Sequence, residues 1–322
     1  MEDRLVQTVR WTEQEHALLL PAIDPDASKY SRGSVLVAGG SARYTGAPVL
    51  AARAAARAGA GYTSLMVPSD MEQVARAHLL SIPVIAAPCI DGAFRPGAAT
   101  LPGELLGHLD ALVAGPGMGV TDATAGFITR LLDGYDVPVV LDADALNVVA
   151  GRNPIARGTG RPGDAFRSLL ARGKRGATTI LTPHDGELKR LLAACGVSDD
   201  AAGSEEDLDS ARLRRAVAVA EATGAVVVAK GRRTLVVEAG RPVLVSAYAS
   251  AVLAKAGTGD VLSGIIGSLC AQGLQGFEAA ALGVFVHAKA GEETRARLGM
   301  HAPMAEDVID GIAPALKALE EL

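Results

Sequence analysis

A glycine-rich turn ends in an aspartate, and this pattern could serve phosphoryl transfer. Residues 256–260 read Ala-Gly-Thr-Gly-Asp, and an apolar stretch with helical character begins at Val261. A glycine turn that leads into a helix leaves backbone N–H groups unpaired where the helix dipole adds partial positive charge. Such a turn binds a phosphate and stabilises the charge that develops as a phosphoryl group moves. Asp260 beside it could accept the proton of a substrate hydroxyl, so it is the candidate catalytic base.

Asp260 also has a purely structural interpretation. Aspartate is a preferred helix N-cap residue, and glycines suit a tight turn whether or not a ligand binds there. The turn alone favours this interpretation. A catalytic role is favoured only when the turn is combined with other segments of the same chain.

A pair of carboxylates follows another apolar run. Asp142 and Asp144 come directly after residues 137–141 and are separated by one residue, so on a strand they face the same side. Ligands of open α/β sheets bind at the carboxyl ends of the strands. The pair could therefore organise Mg²⁺, water or substrate there. At least one of the two is expected to cap the next helix instead.

Weaker signals follow other apolar runs. His184 lies in the segment 182–187, Thr-Pro-His-Asp-Gly-Glu, and Lys230 directly follows residues 226–229. A lysine at a strand end is often only a solvated charge, and a lone histidine is usually structural. Glycine turns at 39–40 and 115–119 let the backbone approach a ligand closely, but a plain turn is the favoured interpretation of the first and explains the second about as well.

Short apolar runs rich in β-formers alternate with helical stretches and must position these residues. The spacing predicts a helix over about 47–58, and a parallel sheet covered by helices on both faces. Two further runs, 234–238 and 242–246, predict a hairpin turning at 239–240. The predicted parallel strands are 34–38, 62–67, 84–86, 111–114, 137–141, 178–181 and 226–229.

Two segments look like surface insertions within this series. Residues 151–176 are rich in Gly, Arg and Pro, and residues 196–210 are acidic and rich in small residues. Neither has the character of a domain linker, and the strand series continues past both. The pattern therefore favours one domain over two.

The composition excludes several classes of protein. A hydrophobic fraction of 49% allows a large core, which must be aliphatic because only 3% of residues are aromatic. A formal net charge of −5 opposes a nucleic-acid surface. The three cysteines show no zinc spacing or disulfide framework, and no apolar stretch reaches the roughly 20 residues of a membrane helix. Without a secretory signal at the N-terminus, we expect no membrane association and a cytoplasmic location.

The glycine turn carries a resemblance to a known family. Residues 253–264 resemble the anion-hole signature of the ribokinase-like superfamily and, more narrowly, that of the NAD(P)H-hydrate dehydratases, which restore NADH and NADPH from their hydrated forms. The resemblance extends from about Trp11 to the C-terminus. It implies an α/β fold, a ribokinase-like three-layer α/β/α sandwich with a mostly parallel central sheet. It also implies one domain over residues 1–322, without the N-terminal epimerase domain of many relatives.

Three other segments resemble regions that contact the hydrated nucleotide in the family. Residues 38–48 match its first glycine turn and helix start, and imply a contact at Ala47. Residues 114–119 match its Gly-Pro-Gly turn and imply a contact at Gly117. Residues 181–188 are the most family-specific segment and imply that His184 contacts the substrate with Asp260.

The resemblance also implies the nucleotide and metal sites. Residues 228–234 resemble a Lys-Gly-x-x-Thr segment that flanks the nucleotide, and the anion hole completes the site. Glu187 takes the place of a glutamate that orders Mg²⁺-bound water, and Asp142 is a second candidate metal ligand. The implied nucleotide-binding residues are Lys230, Gly231, Arg232, Arg233, Thr234, Ala256, Gly257, Thr258 and Gly259.

One segment departs from the family pattern. The family usually has a run such as Thr-Gly-Asn-Pro-Gly shortly before the anion hole, whereas residues 249–252 here read Ala-Ser-Ala-Val. A polar side chain and some flexibility near the acceptor are lost, and Ser250 could replace them in part. The departure affects the expected substrate contacts, and leaves the phosphoryl-transfer residues intact.

The resemblance predicts an ADP-dependent (S)-NAD(P)H-hydrate dehydratase that uses Mg²⁺ and ADP, or ATP in its place. Its partners would be hydrated NADH or NADPH and the nucleotide, and it would form a homo-oligomer, a tetramer. One alternative is a small-molecule kinase of the hydroxyethylthiazole or hydroxymethylpyrimidine type, against which residues 182–187 and 115–117 argue. The other is a catalytically idle nucleotide-binding sensor, which need not keep a base such as Asp260.

Overall fold

A ten-stranded sheet forms the centre of the molecule in the computed structural model, which describes residues 6–151, 163–199 and 208–322. The strands follow the order β1-β12-β11-β10-β9-β8-β7-β2-β3-β4. A separate two-stranded sheet pairs β5 with β6. The strands are β1 (Thr8–Val9), β2 (Ser34–Ala38), β3 (Tyr62–Pro68), β4 (Val84–Ala87), β5 (Cys89–Ile90), β6 (Ala93–Phe94), β7 (Ala111–Ala114), β8 (Val139–Leu141), β9 (Thr179–Leu181), β10 (Val226–Ala229), β11 (Leu235–Val237) and β12 (Val243–Val245).

The central sheet is parallel except at one strand. β11 runs antiparallel to both of its neighbours, β10 and β12, and the β11–β12 hairpin confirms the one predicted from the sequence. From β4 to β10 every neighbouring pair is parallel. The carboxyl ends of these strands therefore meet at one edge of the sheet, where a ligand site is expected.

Helices connect the strands and cover the sheet. Short 3₁₀ turns occur at Ser69–Met71, Pro96–Ala99 and Ala251–Leu253. The helices are α1 (Glu13–Ala17), α2 (Gly46–Arg57), α3 (Glu72–His78), α4 (Gly103–Leu106), α5 (Asp122–Gly134), α6 (Asp144–Val149), α7 (Asp164–Lys174), α8 (Asp185–Ala194), α9 (Leu208–Thr223), α10 (Thr258–Ala271), α11 (Gly276–Leu298) and α12 (Ala305–Glu320).

The core divides into two layers, one on each face of the sheet. Alternate residues of each strand face opposite sides, so in β2 Val35 and Val37 pack with α2, α10, α11 and α12. Leu36 and Ala38 pack on the other side with α5 to α9. Because both faces are covered, the strands are mostly apolar rather than alternating, with small buried polar residues such as Thr63 and Ser64 in β3. The structure confirms the predicted α/β fold, a three-layer sandwich with a mostly parallel sheet.

The element boundaries differ from the predictions by a few residues. β8 begins at Val139 rather than at residue 137, because Pro138 has no N–H to donate to a neighbouring strand. The two candidate insertions contain helices, since α7 lies inside 151–176 and α9 begins at Leu208. The remaining parts, 152–162 and 200–207, lie outside the described residues.

Within the described ranges, no helix is both long enough and apolar enough to span a membrane. The cysteines Cys89, Cys195 and Cys270 are all free. The central sheet contains ten of the twelve strands of the described residues, and β1 from near the start of the described chain lies beside β12 at one edge.

Candidate active site

The glycine turn leads directly into α10, and Asp260 lies in its first turn. The helix begins at Thr258, and its N-cap position is held by Gly257 with a φ of 90°. The hydroxyl of Thr258 donates to the carbonyls of Leu253 at 2.7 Å and Lys255 at 2.8 Å, which ties the turn together. Asp260 is the third helical residue, so the interpretation of Asp260 as the N-cap is wrong. Its carboxylate is available for another purpose.

Gly257 is required by both its conformation and its surroundings. A left-handed φ is costly for residues with a side chain. A Cβ at this position would also lie 2.8 Å from Cδ1 of Leu50 and 2.9 Å from Cβ of Ala305. Only glycine can therefore occupy this position without displacing side chains of α2 and α12.

Lys230 and Asp142 form a partly buried ion pair beside this turn. The Lys230 ammonium donates to Oδ1 of Asp142 at 2.8 Å, and the Thr182 hydroxyl donates to the same oxygen at 2.7 Å. Asp142 is only 1% exposed. A Cβ added to Gly259 would lie 3.2 Å from the Lys230 nitrogen, so the lysine lies against the start of α10. The arrangement places one positive charge where an anion would meet the helix N-terminus.

Electrostatics at Asp260 favour the protonated carboxyl. Burial raises the pKa of Asp260 to about 8, and the nearby carboxylates of Asp142, Asp144 and Glu187 add to the increase while Lys230 opposes it. Burial works against the charged form of Lys230, but Asp142, Glu187 and Asp260 outweigh it and raise the lysine pKa. A carboxyl whose pKa lies near neutrality is suited to accept and release a proton.

His184 and Glu187 form a capping box at the start of α8. Nδ1 of His184 accepts from the backbone N–H of Gly186 at 3.0 Å and of Glu187 at 3.4 Å. Oε2 of Glu187 accepts from the backbone N–H of His184 at 2.9 Å. The neutral ring therefore carries its proton on Nε2. Burial, Lys230 and Arg190 lower the pKa of His184, and burial raises the pKa of Glu187 to about 7.

The two glycine turns predicted on the substrate side come together with Ala47. Gly117 has a φ of 65°, and a Cβ there would lie 2.8 Å from Cβ of Tyr44 and 3.2 Å from that of Ala47. The backbone N–H of Gly119 donates to Oδ2 of Asp144 at 2.9 Å. Asp144 therefore fixes this turn, and the helix that it begins has an N-cap without a side-chain hydrogen bond. The expectation that Asp142 or Asp144 caps that helix is wrong.

A cavity of about 570 Å³ opens beside the turn and the Lys230 segment. Another of about 610 Å³ lies at the opposite edge of the sheet, near Arg32 and Gly59, away from the carboxylates. The first is lined by His184, Lys230, Gly231, Arg232, Thr234, Ser246, Tyr248, Ala249, Ser250, Ala251, Leu253, Ala254, Thr258, Gly259, Leu262, Val284, His287 and Ala288.

Comparison with known proteins decides the family. A family model described as NAD(P)H-hydrate dehydratase matches residues 35–313. The chain belongs to the NAD(P)H-hydrate dehydratase family.

Relatives in this family include proteins of two lengths. The "ADP-dependent (S)-NAD(P)H-hydrate dehydratase" of Neisseria meningitidis serogroup B is 35% identical over 295 residues, covering 91% of this chain and 87% of that protein. The "Bifunctional NAD(P)H-hydrate repair enzyme Nnr" of Salinibacter ruber is 38% identical over 294 residues, covering 91% of this chain but 49% of that protein. The chain spans about half the length of that relative and of similar bifunctional ones.

A solved structure agrees with the family and the fold. The ADP/ATP-dependent NAD(P)H-hydrate dehydratase of Bacillus subtilis, co-crystallised with ATP and Mg²⁺, is 25% identical. It superposes with a TM-score of 0.75 over 98% of this chain and 99% of that one.

Most of the residues predicted to bind the nucleotide line the cavity, but not all of them. Lys230, Gly231, Arg232, Thr234, Thr258 and Gly259 are in the lining, together with His184, which was expected on the substrate side. Arg233 instead donates to the carbonyls of Ser246 at 3.2 Å and Ala247 at 2.7 Å. Ala256 and Gly257 form the turn itself. The contacts of these residues with a ligand stay predictions.

Two residues at the candidate active site, Arg212 and His287, were not predicted from the sequence. The guanidinium of Arg212 passes beneath Gly231, where a Cβ would lie 1.8 Å from Nη1, and it donates to the Arg233 carbonyl at 2.8 Å. His287 lines the cavity, and burial lowers its pKa to about 4. These residues are distant in sequence and have no motif, so only the fold brings them to the site.

The segment that departs from the family pattern lies in the cavity wall. Ala249, Ser250 and Ala251 line the same cavity as Gly231 and Thr234. The hydroxyl of Ser250 is buried and has no hydrogen-bond partner among the described residues. The departure therefore alters the wall beside the Lys230 segment.

The described residues fit Mg²⁺ only as an ion that arrives with the nucleotide. Within these ranges no group of three or more His, Cys, Asp or Glu side chains could hold a metal ion. Oδ1 of Asp142, the second candidate ligand, is already engaged by Lys230 and Thr182. Mg²⁺ usually keeps several waters and binds substrate phosphates with only one or two carboxylates. Glu187, which was predicted to order such waters, is 5% exposed and accepts from the backbone N–H of His184, and its part in holding the ion stays a prediction.

Proposed function

We propose that this chain catalyses the ADP-dependent dehydration of (S)-hydrated NADH and NADPH, with ATP as an alternative phosphoryl donor. The observation that carries the proposal is the position of Asp260 at the start of α10, beside the glycine turn and the Lys230–Asp142 pair. The names of the relatives that match most of this chain support the same reaction, since the Neisseria protein is named for it.

The first step is phosphorylation of the hydrated ring. Asp260 accepts the proton of the ring hydroxyl, whose oxygen attacks the terminal phosphorus of ADP. The bond from that phosphorus to the bridging oxygen breaks, and AMP leaves. The N-terminal amides of α10 and the Lys230 ammonium stabilise the negative charge on the transferred group.

The second step is elimination of phosphate. The lone pair of the ring nitrogen expels phosphate, which is a far better leaving group than hydroxide. Loss of a proton from the neighbouring carbon then restores the dihydronicotinamide. The products are NADH or NADPH, AMP and phosphate, so nucleotide cleavage drives the dehydration.

Other residues have supporting roles in this proposal. Ala47 and Gly117, which contact each other, form the substrate side, and His184 lies at the border between substrate and nucleotide. Mg²⁺, held through water by Glu187, would neutralise charge on the phosphates. The Lys230 and glycine-turn segments hold the nucleotide.

The test mixes the purified protein with Mg²⁺, ADP or ATP, and NADH hydrate, and follows the absorbance of the dihydropyridine. We expect the absorbance to recover, with one phosphate released per NADH. A small-molecule kinase would leave a stable phosphorylated product of another alcohol, and an idle sensor would bind nucleotide without turnover. No recovery with either nucleotide would overturn the proposal.

We also propose that the protein works as a homo-oligomer, a tetramer, in the cytoplasm, and that residues 1–322 act as one domain. Ten strands drawn from residues 8–245 join in one sheet, which supports the single domain. Light scattering on the purified protein tests the oligomeric state, because a monomeric mass would contradict the tetramer.

A further inference from the structure

The cavity beside the glycine turn has two kinds of wall. Lys230, Gly231, Thr258 and Gly259 contribute charge and backbone groups next to the anion site. Another part of the lining is apolar, and includes Leu253, Leu262, Val284, Ala288 and Tyr248. A volume of about 570 Å³ suits a ligand the size of a nucleoside. A nucleotide whose phosphates lie at the turn would direct its base toward the apolar wall.

Tyr248 is the only Phe, Tyr or Trp side chain among the described residues that line this cavity. Aromatic residues make up only 3% of the chain, so few side chains could offer a ring to a ligand, and Tyr248 is one of them. Every nucleobase has a π-face, and stacking on an aromatic ring is a common way to hold one. The ring is also half-buried, which leaves one part available to a ligand.

Three side chains from distant elements hold the Tyr248 ring. Its hydroxyl donates to Glu13 of α1, and Lys289 of α11 donates to the same carboxylate at 3.0 Å. The Lys289 ammonium lies 5.7 Å from the centre of the Tyr248 ring, and the Phe285 ring meets it edge-on at 5.7 Å. A ring fixed before binding loses less conformational freedom when a ligand arrives.

We propose that Tyr248 binds the base of the nucleotide by packing its ring against it, and that Glu13 is a positioning residue that fixes the ring in place. This inference rests on the proposed nucleotide-dependent function but needs no substrate turnover. The family motifs do not include Tyr248, which precedes the segment 249–252 where the chain departs from the family pattern. The N-terminal helix α1 thus contributes to nucleotide affinity from outside the cavity.

The first test measures ADP affinity by calorimetry in the full-length protein. Tyr248→Phe keeps the ring and should bind ADP within about threefold of the wild type. Tyr248→Leu removes the π-face and should weaken ADP about tenfold, within the range of base stacking. Tyr30→Leu is the matched control, because Tyr30 stacks on His108 instead and should leave ADP affinity unchanged. An ADP affinity of Tyr248→Leu within twofold of the wild type would overturn the proposal.

A second measurement needs no substitution and covers the case in which Tyr248→Leu does not fold. Photolysis of the wild-type protein with 8-azido-ADP should label the peptide that contains residues 246–250. Labelling confined to other peptides would contradict the proposal. Both experiments read nucleotide binding alone, so a failure of the dehydratase assay would not be mistaken for a failure here.

The role of Glu13 is tested by its dependence on Tyr248. Glu13→Gln should weaken ADP about threefold in the wild-type background but have no further effect in Tyr248→Leu. A merely structural role would give the same loss in both backgrounds. Equal losses of ADP affinity in the two backgrounds would therefore show that Glu13 does not act through Tyr248.

Discussion

Asp260 shows how one residue type acquires a function from its surroundings. An exposed aspartate is fully ionised at neutral pH and is a weak base. Burial at the start of α10, among Asp142, Asp144 and Glu187, raises the pKa of Asp260 to about 8. The same burial would raise the pKa of Asp260 further without Lys230, whose positive charge lowers that pKa. The pKa of Asp260 is thereby kept near neutral pH, where the carboxyl can both accept and release a proton.

We predict that kcat/KM for the hydrate rises with pH up to about 8 and then levels, because the base must be ionised to accept a proton. Glu187, whose pKa lies at about 7, titrates in the same direction and would steepen the lower part of the curve. The profile is measured under limiting substrate at constant ionic strength. A rate that is flat or falls across about pH 6 to 9 would contradict this role.

The raised pKa of Asp260 also has a consequence for stability. A carboxyl with a raised folded-state pKa binds more protons in the folded than in the unfolded state, so stability falls as pH rises from about 4 to 8. Asp260→Asn removes this pH-dependent contribution to stability. We expect the variant to be more stable than the wild type at pH 8, by on the order of a few kcal/mol, and the gain to shrink toward pH 4. Urea unfolding of both proteins at both pH values measures this difference in stability. A difference that does not change with pH would contradict a raised pKa of Asp260 in the folded protein.

At the scale of elements, the site depends on where parallel strands end. β8, β9 and β10 deliver Asp142, the 182–187 segment and Lys230 to one edge of the sheet, where α10 presents its N-terminus. The turn that begins α10 is the least adaptable part, because Gly257 has a positive φ and contacts two other helices.

Gly257→Ala should therefore damage both the turn and the anion site. We expect a loss of about 1–3 kcal/mol in the free energy of unfolding and a weakening of ADP binding of at least about tenfold. Gly299→Ala is the matched control, since Gly299 also has a positive φ of 76° but a Cβ there meets nothing within 4 Å. The control should lose some stability and no ADP affinity. Equal ADP binding by both variants would show that the turn is not part of the site.

Most of the longer strands could be predicted from the sequence because each is encoded locally, whereas the two-residue strands β1, β5 and β6 were not predicted. The apolar runs and glycine turns predicted the sheet, the hairpin and a helix after the glycine turn, although α10 begins at Thr258 rather than near Val261. What could not be predicted depends on distant contacts. Asp144 accepts from Gly119 rather than capping α6, and Arg212 supports Gly231, because tertiary packing determines both partners.

At the scale of the whole molecule, Arg172 joins several elements of one layer. The side chain is fully buried in α7 and donates to the Thr179 hydroxyl and to four carbonyls. Those carbonyls belong to the end of α5, the following loop and the residue before β9. They are the backbone oxygens of Leu132, Tyr135, Val137 and Thr178. Burial lowers the pKa of Arg172 to about 10, so it remains charged at neutral pH.

Arg172→Ala should destabilise the protein strongly, because several buried carbonyls lose their donor. We expect a loss of at least about 3 kcal/mol in the free energy of unfolding. Arg130→Ala, at an exposed position of α5, should change it by less than about 0.5 kcal/mol. Chemical denaturation of the two variants measures both changes. Similar losses in the free energy of unfolding would mean that the hydrogen bonds of Arg172 contribute little to stability.

The central claim is that Asp260 serves as the base of a nucleotide-driven dehydration. The most direct measurement follows NADH recovery from its hydrate by the wild type and by Asp260→Asn, with ADP affinity measured on both proteins. We predict that the wild type restores NADH with stoichiometric phosphate release, while Asp260→Asn binds ADP with similar affinity and restores none. Recovery by Asp260→Asn at a rate comparable to that of the wild type would contradict the account.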